Sequence, residues 1–186
     1  YQCDWSSDVC SSDLADERKP ETAGTEQVLR ELGFRVAHIE APGTLDGGDV
    51  LKHDGTVWVG LGGRTNREGI DQLAAHLAPL GAEVVAVPLT KALHLKSAVT
   101  ALPDGTVVGW DPVVDDPGTW TSYLGVPEEP GAHVVLLDGS TVLMSSAAPR
   151  TRALYEERGL RVVAVDVSEY EKLEGCVTCL SVRLRG

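Results

Sequence analysis

No apolar run in the sequence approaches the roughly 20 residues that a membrane-spanning helix requires. Positive charge is sparse, with 16 lysines and arginines against 28 aspartates and glutamates and a formal net charge of −12. Nucleic acid and anionic membrane surfaces reward a basic face, so the balance argues against both as partners. A cationic small molecule suits such a field. Cysteine is scarce too: four in 186 residues, two of them among the first fourteen. No second Cys/His pair stands at zinc spacing from Cys176 and Cys179, so no metal site is expected. With 42% hydrophobic and 24% charged residues, what remains is the composition of a globular chain.

The opening stretch, YQCDWSSDVCSSDL, differs from everything after it. It holds two cysteines, four serines and three aspartates without helical or strand periodicity. A Cys3–Cys10 disulfide in a secreted protein is one reading. The other is that DWSSDVCSSDL back-translates onto a synthetic adapter used in DNA sequencing libraries. The expectation is that residues 1–14 are such an artefact and not native, and that residues 15–186 are a partial domain beginning near Ala15. Only Cys176 and Cys179 then remain, which fits a reducing, cytoplasmic compartment better than a disulfide scaffold.

An internal repeat runs through the rest. A glycine followed by a short apolar stretch recurs as GFRVAHIE from Gly33, GAEVVAVPL from Gly81, GAHVVLL from Gly131 and GLRVVAVDV from Gly159. Helical patterns ending at a glycine precede three of them: TEQVLRELG, NREGIDQLAAHLAPLG and PRTRALYEERG. In the second, Ile70, Leu73, Leu77 and Leu80 share a face, and Thr65 or Asn66 serves as N-cap. DVLKHDGTVWVG and SAVTALPDGTVVGW read as hairpins with Asp-Gly turns, and DGSTVLMSS as a third hairpin edge. The unit is strand, hairpin, helix, strand at a period of about 50 residues. The expected fold is therefore α/β, a pseudo-symmetric radial array of ββαβ modules that places functional groups near an axis. Asp46 follows Gly33 by thirteen residues and His94 follows Gly81 by thirteen, which makes them equivalent positions.

CVTCLSVRL alternates like a strand, which sends Cys176 and Cys179 to opposite faces: Cys176 with the apolar residues, Cys179 with Ser181 and Arg183. On that reading neither a shared metal nor a disulfide takes both sulfurs, and a redox or zinc CxxC is disfavoured. Cys179 is either a buried thiol or a nucleophile. His94, between Leu93 and Leu95, is either a satisfied half-buried histidine or an acid/base. Asp46 and Asp49 in TLDGGDVL are either turn acids or carboxylates held beside a close backbone. Arg64 is either a solvated cation or a ligand to an anion. A nucleophilic cysteine wants a histidine, and a histidine wants a carboxylate; Cys179, His94 and Asp46 supply one of each.

TLDGGDVL, VGLGGRTN, LHLKS and EYEKLEGCVTCLS, in this order and spacing across residues 17–186, resemble the dimethylarginine dimethylaminohydrolases. That family belongs with the arginine deiminases and amidinotransferases in the guanidino-group-modifying superfamily. The resemblance implies a five-module α/β propeller, here incomplete with its first module missing, so that residues 15–186 form a partial catalytic domain. It implies hydrolysis of asymmetric dimethylarginine and monomethylarginine to citrulline and di- or methylamine through a cysteine thiouronium, without cofactor or metal. By the same resemblance Cys179 is the nucleophile, His94 the general acid/base and Asp46 the acid that orients it. Arg64 and Arg18 match positions that grip the substrate carboxylate, and Leu173 and Glu174 those that hold its α-amino group. Glu174 departs from the family's more usual Asp, and the glycines of LGGRTN depart from its more usual pair. The upstream acids that clamp the guanidinium lie outside this chain. Arginine deiminase, amidinotransferase, or an inactive fragment that binds cationic amino acids therefore stay open. Nothing in the sequence fixes an oligomeric state.

Overall fold

Glycines with left-handed backbone set the first turns of the chain. Gly33, Gly55, Gly81, Gly105 and Gly159 all have positive φ, between +72° and +94°, a region that costs a side-chain-bearing residue energy. Three of them end helical segments and two turn hairpins, as the repeat requires. The structure, a computed structural model, describes residues 21–53 and 55–179. The chain divides in sequence between Pro88 and Leu89 into two compact units.

In the first unit, helix α1 (Glu21–Glu31) is followed by the antiparallel hairpin β1 (Val50–His53) and β2 (Thr56–Leu61), with Val50 opposite Val59. Helix α2 (Arg67–Leu77) crosses back to β3 (Glu83–Pro88), which pairs with β2 in parallel. Asn66 caps α2: its Oδ1 accepts from Gly69 N at 2.8 Å, and Glu68 stands in the first turn. The core is Leu45, Val57, Val59, Ile70 and Leu77, with Leu73 partly buried against it. Leu80 is 39% exposed, because the chain has already tightened into a 3-10 turn over Ala78–Leu80 and left the helical face.

The second unit holds two further sheets. Helix α3 (Leu95–Ala98) leads into β4 (Val99–Ala101), which pairs antiparallel with β5 (Val107–Gly109), and β6 (Tyr123–Gly125) joins β5 in parallel. Then β7 (Val135–Leu136) pairs antiparallel with β8 (Thr141–Ser145), helix α4 (Pro149–Glu157) crosses over, and β9 (Arg161–Val165) joins β8 in parallel. Helix α5 (Ser168–Glu171) follows. Leu102, Val108, Val142, Met144 and the fully buried Tyr155 form the core, and the Tyr155 hydroxyl donates to the Gly131 carbonyl at 2.7 Å. Each sheet is thus a hairpin plus a parallel third strand, an α/β architecture with no closed barrel among the described residues.

Three sequence expectations are corrected. GFRVAHIE forms no strand: a strand needs a ladder, and among the described residues none pairs with 34–40. Instead both backbone groups of Glu40 are fastened to the Gln72 side chain at 2.8 Å. Gly131 is not a member of the glycine series either. It lies in a 3-10 turn before the first strand of a hairpin, and it is small because a Cβ there would collide with Thr151. The middle module closes with Tyr123–Gly125, and 3-10 turns at 111–113 and 117–119 stand where the other modules have a helix. Lastly, Cys176–Cys179 is a turn, with Cys179 N donating to Cys176 O at 3.0 Å. The alternation argument does not hold there, since period-two faces exist only in extended backbone.

Candidate functional site

Asp46 heads the first hairpin. Its extended backbone (φ −97°, ψ 133°) makes it the N-cap of a 3-10 turn over Gly47–Asp49, and its Oδ1 accepts from Gly48 N at 2.7 Å. Thr65 locks the turn from the start of α2. Its hydroxyl oxygen accepts from Asp46 N at 3.0 Å while its proton goes to Asp49 Oδ2 at 2.6 Å, and Thr65 and Asp49 are 1% and 0% exposed. A buried carboxylate is tolerable only with such donors. Asp49 therefore holds the turn, while the second carboxylate oxygen of Asp46, Oδ2, is not the one that Gly48 N engages. Arg64 Nη1 stands 3.7 Å from that oxygen, a half-exposed ion pair of modest strength. The first unit thus brings Asp46 and Arg64 together; Arg18 lies outside the described residues.

His94 heads the second hairpin as Asp46 heads the first. It too is extended (φ −133°, ψ 154°) and caps a short helix, α3, with its carbonyl accepting from Ser97 N at 3.0 Å. Leu95 is buried at 1% and Leu93 is exposed at 53%, which leaves the imidazole half-buried. Asp115 pins the approach to it: one carboxylate oxygen accepts from Thr90 N (2.8 Å) and Lys91 N (3.3 Å), the other from the Thr90 hydroxyl. Burial is the largest single influence and pushes the Asp115 carboxyl up, but these hydrogen bonds together outweigh it and hold it below its ordinary value.

The C-terminal segment is built as a string of turns. Tyr170 O accepts from both Leu173 N and Gly175 N at 2.9 Å, and Glu171 O accepts from Glu174 N at 3.1 Å. Glu174 is driven to φ +60°, a left-handed conformation that costs a non-glycine residue on the order of 1 kcal/mol and collects at functional sites. Leu173, at 85%, is the most exposed of the large hydrophobic side chains described. The Ser145 hydroxyl, at the end of β8, fastens the string by donating to Glu171 Oε1 at 2.6 Å.

The string ends on the two cysteines. Their sulfurs are 3.2 Å apart, and the Thr178 hydroxyl is 2.9 Å from the Cys176 sulfur. Cys176 is buried and Cys179 exposed, and neither is in a disulfide. The hydrogen bond from Cys179, opposed by burial and aided by the charge of His133, holds the Cys176 thiol down to about 5. The same bond, with burial, pushes the Cys179 thiol up. The pair therefore gives up its first proton more readily than an isolated thiol and its second less readily. From the sequence His133 reads as a histidine at a strand start with no setting like that of His94; it lies two residues before β7, and its Nε2 is 3.0 Å from the Ser97 carbonyl of α3.

Residues 17–127 match the arginine deiminase family. Over 171 residues the chain is 60% identical to the N(G),N(G)-dimethylarginine dimethylaminohydrolase of Streptomyces coelicolor, covering 92% of this chain and 66% of that one. The protein of the same name from Pseudomonas aeruginosa is 35% identical over 172 residues, 91% of this chain and 68% of its own. A solved structure of DDAH from Pseudomonas aeruginosa, a cysteine-to-serine variant complexed with citrulline, aligns with a TM-score of 0.83 at 32% identity, over 93% of this chain and 69% of that one. The chain spans about two thirds of the length of these curated relatives.

Proposed function

This chain belongs to the dimethylarginine dimethylaminohydrolase family, and we propose that its protein hydrolyses N-methylated arginines to citrulline and di- or methylamine. The observation that carries the reading is the turn that presents the Cys179 sulfur, exposed and hydrogen-bonded to a second thiol, at the position of the resemblance motif EGCVTCLS.

A guanidinium carbon is a poor electrophile because three nitrogens share its charge. A bound guanidinium draws a nearby sulfur toward its thiolate by Coulomb attraction. Cys179 attacks that carbon to give a tetrahedral adduct. Protonated His94 delivers its proton to the departing amine, which leaves a thiouronium on the sulfur. His94, now neutral, takes a proton from water, and collapse of the second adduct releases citrulline and the thiolate. Asp46 is the acid of the set: its head-of-hairpin position is equivalent to that of His94, Thr65 holds its backbone N–H, and Gly48 N holds its carboxylate. Arg64, with Arg18, takes the substrate carboxylate; the Leu173 backbone and the Glu174 side chain take the α-amino group. The three sheets are read as modules of an α/β propeller. Arginine deimination is the second reading, favoured by the family matched over residues 17–127.

The test is citrulline release by the full-length natural protein from asymmetric dimethylarginine and from arginine, side by side. Release from the methylated substrate is expected, and Cys179→Ser should lower it by about a thousandfold or more. Turnover of arginine alone would move the protein to the deiminases, and an active Cys179→Ser variant would remove the nucleophile assignment.

A further inference from the structure

The reaction above uses one sulfur of the Cys176–Cys179 turn and leaves the other unexplained. Cys176 is 7% exposed, in direct contact with Cys179 at 3.2 Å, and receives the Thr178 hydroxyl at 2.9 Å. The backbone bond from Cys179 N to Cys176 O closes the four-residue turn, so the two sulfurs meet without any further ordering of the chain. Of the two residues, Cys179 is exposed and Cys176 is buried. This is the arrangement of an entry thiol and a resolving thiol.

We propose that Cys176 and Cys179 form a dithiol site that hydroperoxides oxidise to a reversible intramolecular disulfide. The exposed Cys179 passes its proton along the sulfur–sulfur hydrogen bond and attacks the terminal peroxide oxygen. The O–O bond breaks, Cys179 becomes a sulfenic acid, and the departing alkoxide or hydroxide takes the proton from Cys176. The Cys176 thiolate then attacks the sulfenic sulfur, the S–S bond forms, and hydroxide leaves. Two electrons pass from the sulfurs to the peroxide; two thiols and one hydroperoxide give one disulfide, one alcohol or water, and one further water. Cys176 has by then given its proton to the leaving oxygen, so it attacks as the thiolate, the nucleophilic form. Insofar as Cys179 is the nucleophile of the proposed reaction, which this consequence rests on, oxidation switches the enzyme off and reduction restores it. Without Cys176 the sulfenic acid has no thiol beside it and proceeds to the irreversible sulfinic acid.

The first experiment uses the chain itself, treated with one equivalent of hydrogen peroxide, alkylated, digested and mapped by mass, which separates this pair from Cys3 and Cys10. The expected product is a peptide spanning Cys176 and Cys179 that is lighter by two hydrogens, unalkylated at both, and restored by dithiothreitol. In Cys176→Ser, peroxide should give Cys179 sulfinic acid that dithiothreitol does not reverse; Cys176→Ala serves equally if the serine variant fails to fold. Sulfinic acid on Cys179 of the unmutated chain, with Cys176 still alkylated, would overturn the proposal, as would equal protection of Cys179 in both variants. Citrulline release by the full-length natural protein separates the two readings. A disulfide without citrulline release from the reduced protein sinks the proposed function and leaves the dithiol site. Citrulline release without a disulfide does the reverse.

Discussion

The first and third sheets solve one problem with opposite parts. In each, the segment entering the hairpin must be joined to the first turn of the crossover helix, whose leading N–H groups have no partner within the helix. In the first sheet the helix side supplies the acceptor: Asn66 takes Gly69 N from α2 and also Thr44 N, at 2.9 Å, from the segment before β1. In the third sheet the hairpin side supplies it: Glu128, before β7, takes Thr151 N at 2.8 Å, the Thr151 hydroxyl at 3.0 Å and Arg150 N at 3.3 Å from α4. The space-making glycine changes sides as well. Gly69, third residue of α2, leaves room for the backbone of Thr44; Gly131, before β7, leaves room for the side chain of Thr151, third residue of α4. The junction is the same and the chemistry is transposed, so the modules have one architecture with little sequence in common. In the first sheet the junction also lies close in sequence to Asp46, the acid of the proposed site.

The glycines give the largest way to break this comparison. Gly69→Ala gains about 1 kcal/mol of helix propensity but drives a methyl into the Thr44 carbonyl. Gly131→Ala drives one into Thr151, which is fully buried. Overpacking of this kind costs about 2–3 kcal/mol, and each variant should lower the urea midpoint accordingly. The two differ in rescue. Thr151→Ala removes part of the obstacle and should recover part of the Gly131→Ala loss in a double-mutant cycle, whereas no side-chain change at Thr44 relieves Gly69→Ala, whose obstacle is backbone. Equal rescue at both junctions would show the transposition to be wrong.

The caps are the next largest, and pH separates them. Asn66→Ala and Glu128→Gln should each cost about 1 kcal/mol at neutral pH. Burial is the largest single influence and raises the Glu128 carboxyl, but the hydrogen bonds from Thr151 and Arg150 together prevail and lower it in the folded protein. A lowered folded pKa means that the contribution is present above the unfolded carboxylate value and lost as pH falls through the folded one. The gap between wild type and Glu128→Gln should therefore close on acidification to below the ordinary Glu range. The gap for Asn66→Ala, which removes no ionisable group, should not close through its own titration. Urea melts of the three proteins from neutral to acid pH check this.

Local chemistry was legible in the sequence wherever it acts through its own residues. The Asp-Gly hairpins, the Asn66 cap and the glycine stops of the helices each depend on one or two adjacent residues, and all are present. The spacing that made Asp46 and His94 equivalent is matched by their common extended, capping backbone ahead of a hairpin. Distant parts were not legible. Glu128 caps a helix that starts 21 residues on in sequence, Thr65 reaches back across 19 residues to Asp46, and Asp115 fixes the approach to His94 from 25 residues away. Such pairings follow from the crossover and not from a local pattern. The cysteines were misread for a different reason: alternation in CVTCLSVRL is a strand signal only where a ladder forms, and Cys176–Cys179 is a turn. That single error of backbone put two touching sulfurs on opposite faces.

The smallest effect concerns how Asp46 and the Cys179 segment are each secured within their own units. In the first unit Asp46 sits within several mutually supporting bonds from Thr65, Asp49 and Gly48, so losing one leaves the others. The segment from α5 to Cys179 is tied to the end of β8 through Ser145, whose hydroxyl donates to Glu171 and accepts from Ala147 N at 3.1 Å. Ser145→Ala should change global stability by only about 1 kcal/mol. Its local consequence should be more selective: amide exchange at Glu174 and Gly175, held by Glu171 O and Tyr170 O, should accelerate by about fivefold, while exchange in β8 and β9 keeps its wild-type ratio to the global rate. Glu171→Gln keeps a carbonyl oxygen for the Ser145 proton and should change these amides less. On the proposed assignment of Leu173 and Glu174 to substrate binding, Ser145→Ala in the full-length natural protein should raise KM for the methylated substrate more than it lowers kcat. Uniform acceleration of exchange across the third sheet would make Ser145 a general stabiliser of the core and remove its selective hold on the turns that lead to Cys179.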